Sequence, residues 1–246
     1  MSVSGIWIIF RREISQYFAS PVAYLIAFAF FLVTGLIYNN DITVSLTVKP
    51  TDPAAVPIFL SFGVIFFAPL LTMRLLAEEQ RERTMELLLT APVRDGDIVL
   101  GKFLSAWFYY SLLLGVTFVV YQGILIGLDT YTPDIGHALA AYIGIWLYGG
   151  AALGVGLMFS ATTENQIVAA FLSMSTLLLL WLGDLAGQIV ASVELAEFIR
   201  KLTLQGHFST SFASGLFRAE DAVFFAGIMA VTLFVTIRIV ESRRWR

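Results

Sequence analysis

Residues 78–102 read EEQRERTMELLLTAPVRDGDIVLGK and hold ten of the 33 charged residues of the chain. Long apolar stretches lie on both sides of this charged block. Charged side chains are rare within hydrocarbon because their transfer from water is unfavourable. The block therefore predicts the place where a membrane-embedded chain meets water, and it is the best candidate for contact with a water-soluble partner.

The rest of the composition is typical of a membrane protein. The 246 residues are 58% hydrophobic and 13% charged, whereas an average soluble domain has about 25% charged residues. The net charge of −3 argues against nucleic acid as a partner. The chain has no Cys, which excludes disulfides, thiolate nucleophiles and cysteine-ligated metals.

Six segments reach the length of about 20 apolar residues that a helix needs to cross a bilayer. They predict an all-α polytopic membrane protein with a single transmembrane domain over residues 1–246. The predicted spans are 21–38, 56–77, 98–128, 135–159, 166–187 and 222–240. Residues 1–20 predict a helix in the membrane interface, with a plain lead-in to the first span as the alternative. Residues 188–221 are too polar to span and predict an extracytoplasmic helical cap.

The positions of the basic residues predict the orientation. Eleven of the 15 Lys and Arg residues lie on one side if both termini face the cytosol. An excess of Lys and Arg is typical of cytosolic segments. The sequence thus predicts a multi-pass protein of the inner (plasma) membrane with both termini and the charged block in the cytosol.

The charged block has the pattern of a helix followed by a corner. Residues 78–89 contain no Pro or Gly and many helix formers. Pro92 interrupts the helix, and the sequence Asp95-Gly96-Asp97 predicts a turn and an N-cap for the third span. A solvated connection is the alternative for such a segment. The helical pattern with an apolar edge at residues 87–89 favours a cytosolic helix, here assigned to 78–97, that contacts a partner.

The same block resembles the signature of ABC-2 type transporter permease subunits, in which E, GT-x-E-x-LL, P-V and G-K follow the second span. The matching residues are Glu79, Thr84, Met85, Glu86, Leu87, Leu88, Ala91, Pro92, Val93, Gly101 and Lys102. The segments 12–38 and 206–221 resemble the gliding-motility-associated and nitrous-oxide-maturation-type branch of that family. Arg83 departs from the pattern, because the family usually has Gly at this position.

This resemblance implies an ABC-2, type V exporter-like fold and a division of labour. Two permease subunits pair, as a homodimer or heterodimer, and each docks a separate ABC ATP-binding subunit on a coupling helix after the second span. ATP and Mg would be bound by that partner, so no cofactor and no enzymatic activity are expected in this chain. Membrane lipid and an extracytoplasmic auxiliary protein are further expected partners. The predicted contacts with the ATPase are Glu78, Glu79, Arg81, Thr84, Glu86, Leu87, Leu88, Pro92 and Asp97.

The residues do not favour ATP binding or intramembrane catalysis by this chain. Residues 96–102 fit G-x-x-x-x-G-K, but Phe103 replaces the magnesium-binding Ser or Thr and no strand precedes the segment, so it does not predict ATP binding. An intramembrane enzyme would need paired carboxylates, a His–Glu metal motif or a Ser–His pair inside a span, and the sequence shows none. A non-transporting membrane anchor or mechanotransmitter, acting on an envelope partner, remains the alternative to export.

Overall fold

The computed structural model describes residues 3–45, 52–84, 93–127, 134–189 and 193–243, and the regular elements in these ranges are all helical. The α-helices are α1 (Val3–Ala19), α2 (Pro21–Ser45), α3 (Ala55–Thr72), α4 (Ala77–Arg81), α5 (Asp95–Gly127), α6 (Ile135–Thr162), α7 (Gln166–Ile189), α8 (Val193–Leu202), α9 (Leu204–Thr210) and α10 (Ala219–Arg243). One turn of 3₁₀-helix (Phe212–Ser214) follows α9.

Six helical segments among the described residues are long and apolar enough to cross a membrane, which confirms the predicted number of spans. They are Pro21–Val44, Ala55–Arg81, Asp95–Gly127, Ile135–Thr162, Gln166–Leu185 and Ala219–Arg243. Several are longer than predicted. In α2, for example, Asn39, Asn40 and Asp41 continue the helix beyond the predicted end at residue 38, because polar residues are compatible with a helix that emerges from hydrocarbon.

The structure corrects two details of the charged block. The predicted helix over 78–89 stops early: α4 ends at Arg81, and residues 82–84 form a turn in which Arg83 has a left-handed φ of 58°. Asp95 and Asp97, for which a turn was predicted, lie instead in the first turn of α5. Their negative charges interact favourably with the positive end of the helix dipole. Residues 85–92 lie outside the described residues, and with them Glu86, Leu87, Leu88 and Pro92.

Helix α6 is the central element of the bundle. It packs against α3, α5, α7 and α10, and most of its residues are buried. Glycines permit this close packing. A Cβ atom on Gly150 would lie 2.8 Å from the sulfur of Met229 in α10, and one on Gly154 would collide with Thr232 of the same helix. The small-residue face of α6 therefore serves packing within the chain.

The bundle has an α4 end and, opposite it, a cap end. At the α4 end, α1 packs on α5 and the last residue of α10, Arg243, reaches α6. At the cap end, α8, α9 and the 3₁₀ turn lie between α7 and α10. The cap contacts the bundle, because the His137 ring bonds the carbonyl of Ala213 at 2.9 Å. The beginning of α1 and the end of α10 thus share the α4 end.

Candidate coupling site

Helix α4 has only five residues, and a side chain from another helix caps its start. The backbone N–H groups of Leu76 and Ala77 each donate to Ser160 Oγ at 3.1 Å. Ser160 is fully buried near the end of α6 and donates to the carbonyl of Met73 at 3.0 Å. The first N–H groups of a helix lack partners within the helix. Ser160 supplies that partner and fixes the start of α4 to α6.

A second contact fixes the body of α4. Gln80 Nε2 donates to the carbonyl oxygen of Ala161 at 3.0 Å, and Arg243 Nη2 donates to the same oxygen at 3.1 Å. Both Gln80 and Ala161 are buried. Helices α4, α6 and α10 therefore meet at one carbonyl group, and α4 cannot move without disturbing α6.

Arg12 and Glu13 of α1, Glu79 of α4 and Lys102 of α5 form a charge cluster on another side of α4. Lys102 Nζ lies 3.0 Å from Glu13 Oε1 and 2.9 Å from Glu79 Oε1. Arg12 Nη2 contacts the same two oxygens at 2.6 and 2.5 Å. The side chain of Lys102 is 1% exposed and that of Glu13 is 4% exposed. Two cations and two anions make the cluster neutral, which satisfies the requirement that buried charges be paired.

The cluster favours the ionised forms of Glu13 and Arg12. Burial by itself raises the pKa of Glu13, but Lys102 and Arg12 outweigh it, and the pKa of this carboxyl lies below its ordinary value. Burial likewise lowers the pKa of Arg12, yet Glu13 and Glu79 raise it above the ordinary value. The second carboxylate oxygen of Glu79 is buried and has no hydrogen-bond partner among the described residues.

A polar cavity of about 350 Å³ lies next to the charge cluster. Its walls include Gln16 of α1, Arg74 and Glu78, and Glu82 and Thr84 of the turn after α4. This lining differs from the apolar surface of the spans. It gives the α4 end a charged, shaped depression into which polar side chains of another protein can fit.

Gly101 explains how α1 comes close enough to form the cluster. A Cβ atom at this position would lie 2.7 Å from Ile9 Cβ and 3.0 Å from the carbonyl oxygen of Ile6. Non-bonded carbon atoms do not approach each other to 2.7 Å, so Gly at this position lets α1 lie against the start of α5. The next residue, Lys102, then reaches Glu13. The Gly-Lys pair of the signature thus has two separate structural roles.

The predicted contact residues differ in their exposure and in their partners. The Arg81 side chain is 60% exposed, and within the described ranges its ion-pair partner is Glu82 at the long distance of 3.9 Å. Glu78 pairs with Arg74 at 3.4 Å. Glu79 was expected to face a partner, but its carboxylate points into the charge cluster. Thr84 Oγ1 lies 3.4 Å from the carbonyl of Glu79 beside the polar cavity, and Asp97 is fully buried in the first turn of α5.

Sequence reasoning missed Glu13 and Ser160. Glu13 follows Arg11 and Arg12 in α1, between apolar residues on both sides, and an acidic residue so close to a membrane span is a signal for an ion-pair partner. Ser160 gave no comparable signal, because a single Ser near the end of an apolar helix is common. Lys102 was noted as part of the signature, yet its pairing with residues of α1 and α4 depends on tertiary packing.

Other candidate chemistry is absent or structural where the chain is described. Within those ranges no group of three His, Asp or Glu side chains could hold a metal ion. His207 lies against Asp221 at 2.6 Å and the carbonyl of Lys201 at 2.9 Å, so it joins the cap to α10. Residues 96–102 lie within α5, whereas a phosphate-binding loop requires a loop between a strand and a helix.

Comparison with known proteins agrees with this architecture. Residues 37–204 match the family model described as ABC-2 family transporter protein. The match covers more than half of the 246 residues and includes Glu79 and Lys102. No curated protein matches the chain significantly. With six apolar helices and this match over most of its length, the chain belongs to the ABC-2 family of membrane transporter proteins.

Proposed function

We propose that this chain is the permease subunit that couples ATP hydrolysis by a separate ABC ATP-binding subunit to export of a substrate. The observation that carries the proposal is the attachment of α4. Its inner side is fixed to α1, α5 and α6, while Arg81 and Glu82 on its outer side are exposed by 60% and 54%. A partner that binds this outer side would act on three helices at once.

The attachment of α4 suits the transfer of motion. A short helix joined to its neighbours by buried hydrogen bonds and ion pairs moves as a rigid body, whereas a solvated loop would absorb the displacement. Ser160 connects α4 to the central helix α6, which contacts four of the other five spans or their extensions. A displacement of α4 would thus spread to the whole bundle.

The proposed orientation places the α4 end in the cytosol of a cell whose inner membrane holds the protein. The excess of basic residues at this end supports it. The paired second permease subunit, the extracytoplasmic auxiliary protein and membership of the gliding-motility-associated or nitrous-oxide-maturation-type branch belong to the same proposal. They are supported by the resemblance of the sequence alone.

Co-purification of the ATP-binding subunit with the full-length chain tests the proposal. We expect Arg81→Glu to reduce recovery of the ATPase at least tenfold, because it reverses an exposed charge at the proposed interface. Arg218→Glu is the matched control, since Arg218 is an exposed Arg just before α10 at the cap end. Equal recovery with both variants would contradict the docking of a partner on α4.

Flux measurements then separate export from a purely mechanical role. The co-purified complex is placed in vesicles loaded with a panel of fluorescent amphiphiles, and ATP is supplied on the ATPase side. Export predicts ATP-dependent loss of at least one probe. ATP hydrolysis without loss of any probe would favour the membrane anchor or mechanotransmitter.

A further inference from the structure

An apolar groove runs along α5, beginning where α5 meets α1 and continuing along its contact with α6. The first part has a volume of about 410 Å³ and lies between Trp7 of α1 and Leu104, Trp107 and Trp146. The second part, about 250 Å³, shares Trp146 with the first and continues to Phe118. We call the two parts together the α5–α6 slot.

The walls of the slot present carbon to its interior. Trp146 Nε1 donates to Ser111 Oγ at 2.7 Å, Ser111 Oγ donates to the carbonyl of Trp107 at 2.6 Å, and Trp107 Nε1 donates to the carbonyl of Trp146 at 3.3 Å. The polar atoms of these three side chains are thus satisfied by the side chains and backbone of the same residues. The hydroxyl of Tyr142 in the second part is buried and has no hydrogen-bond partner among the described residues. The lining is otherwise apolar and fits an apolar ligand, because a polar one would lose most of its hydrogen bonds to water without replacement.

The dimensions of the slot fit a linear chain. Leu104 and Phe118 are 14 residues apart on α5, or about 21 Å at a rise of 1.5 Å per residue. One leaflet contributes about 15 Å of hydrocarbon to a bilayer, so the slot is long enough for the acyl chain of a lipid in one leaflet. Gly115 keeps the second part of the slot open, since no atom lies within 4 Å of the position that its Cβ would take. An acyl chain has the required shape, whereas a compact ring system would leave most of the slot empty.

Arg11 follows Trp7, which lines the α1 end of the slot, by one turn of α1. Arg11 is exposed and has no ion-pair partner among the described residues. Trp7 and Arg11 are four residues apart in α1, which places them on the same face of the helix. A guanidinium group binds phosphate oxygens through two hydrogen bonds and stays charged in proteins. The charge at this end therefore selects an anionic headgroup.

We propose that the α5–α6 slot binds one acyl chain of an anionic phospholipid, with the phosphate group at Arg11. The α1 helix would then be fixed to the membrane by lipid on one side and to α5 by the charge cluster on the other. This site is separate from the outer side of α4 and does not depend on the proposed transport function.

The tryptophans of the slot provide the test. Three of the five Trp residues, Trp7, Trp107 and Trp146, line it, so the full-length chain with Trp181→Phe and Trp245→Phe reports on the slot alone. It is placed in phosphatidylcholine vesicles that contain either brominated phosphatidylglycerol or brominated phosphatidylcholine with the same acyl chains. We expect phosphatidylglycerol to quench at an about fivefold lower mole fraction, the effect of one basic residue near an anionic surface.

Two variants check the assignment. Arg11→Gln should make the two brominated lipids equally effective, while Arg218→Gln, at the cap end, should leave the preference unchanged. Gly115→Leu fills the slot at an open position and should reduce quenching by both lipids. Equal quenching by the two lipids in the unsubstituted slot would show ordinary boundary lipid and overturn the proposal. Tryptophans insensitive to either lipid would show that a second copy of the chain covers the slot, and would also overturn it.

Discussion

Lys102 shows how a charged side chain is accommodated about two turns after the start of a membrane-spanning helix. Its ammonium group lies within 3.0 Å of Glu13 and Glu79 and is shielded from solvent. Burying an ion pair gives little net stability, but removing one partner leaves an uncompensated charge. The cluster therefore fixes the positions of α1 and α4 relative to α5 more than it stabilises the fold as a whole.

We predict that Lys102→Met destabilises the protein by about 3–5 kcal/mol, because Glu13 and Glu79 then share only Arg12. The double variant Lys102→Met/Glu13→Gln restores a neutral cluster and should recover part of the loss. Thermal unfolding in detergent, followed by tryptophan fluorescence, measures both. A double variant that is less stable than the single variant would show that the charges do not interact as described.

The pH dependence follows from Glu13. Its pKa in the folded protein lies below the ordinary value of 4.5. The ionised carboxylate therefore stabilises the fold above that value, and the contribution is lost as the pH falls through the folded pKa. We expect the contribution of Glu13 to the melting temperature to be constant between about pH 7 and pH 5. Below about pH 4.5 this contribution is lost and the melting temperature falls. Glu13→Gln should show a smaller fall over the same acid range.

Arg83 gives a second prediction at this scale. Its left-handed φ of 58° is unfavourable for a residue with a Cβ, and Gly is the usual residue of the family at this position. Arg83→Gly should therefore stabilise the turn by about 1 kcal/mol. Arg81→Gly is the control and should destabilise by about 1 kcal/mol, because Arg81 ends α4 in a helical conformation. The difference in melting temperature between the two variants measures the effect.

At the scale of elements, α1 depends on one glycine for its position. It runs along α5 and places Ile9 on Gly101, Glu13 at Lys102 and Tyr17 on Tyr109, whose ring centroids are 5.0 Å apart. These contacts recur about every four residues along α1, which is the spacing of one helix face. Helix α1 is thus a packed part of the bundle at the α4 end.

We predict that Gly101→Ala displaces α1 and destabilises the protein by about 1–3 kcal/mol, as overpacking does in other cores. Gly115→Ala, in the same helix, is the control, because its Cβ would meet no atom within 4 Å. It should leave the melting temperature unchanged or raise it, since Ala favours a helix more than Gly does. An equal loss in both variants would contradict the role assigned to Gly101.

At the scale of the whole molecule, the bundle is organised around α6. Its glycines bring α10 close, its last turn holds α4 through Ser160, and Gly144 lies against Phe212 of the cap. One helix therefore connects the α4 end with the cap end. If the chain has the proposed function, α6 carries a displacement from the ATPase side to the opposite side of the membrane.

We predict that Ser160→Ala separates partner binding from coupling. The variant leaves the N–H groups of Leu76 and Ala77 without their acceptor and should destabilise by about 1–3 kcal/mol. It should still retain the ATP-binding subunit, while ATP-driven activity of the complex falls. Ser173→Ala is the control, because Ser173 is also buried but, among the residues that the structure describes, its hydroxyl bonds to Ala169 of its own helix. Full activity of Ser160→Ala would refute the connection through α6.

Much of the fold could be predicted because it depends on local composition. Apolar runs of span length predict six crossings, and the charged block between the second and third runs marks where these two spans end and begin, although both helices extend into the block. The ends of α4 and α5 were predicted less well. Arg83 adopts a conformation that propensity does not favour, and Asp95 and Asp97 fit both a turn and the first turn of a helix.

Composition and the spacing of apolar runs were enough to predict the class of protein, the number of spans and the polar segment after the second span, and the residues of that segment carry the resemblance to a transporter family. Which side of the segment faces inward depends on helix packing. Glu79 meets Lys102 and Arg12, and Ser160 meets Leu76, across separations of up to 84 residues. Such pairs form because helix packing leaves buried polar groups that must find partners, and the order of residues along the chain does not specify which partners those are.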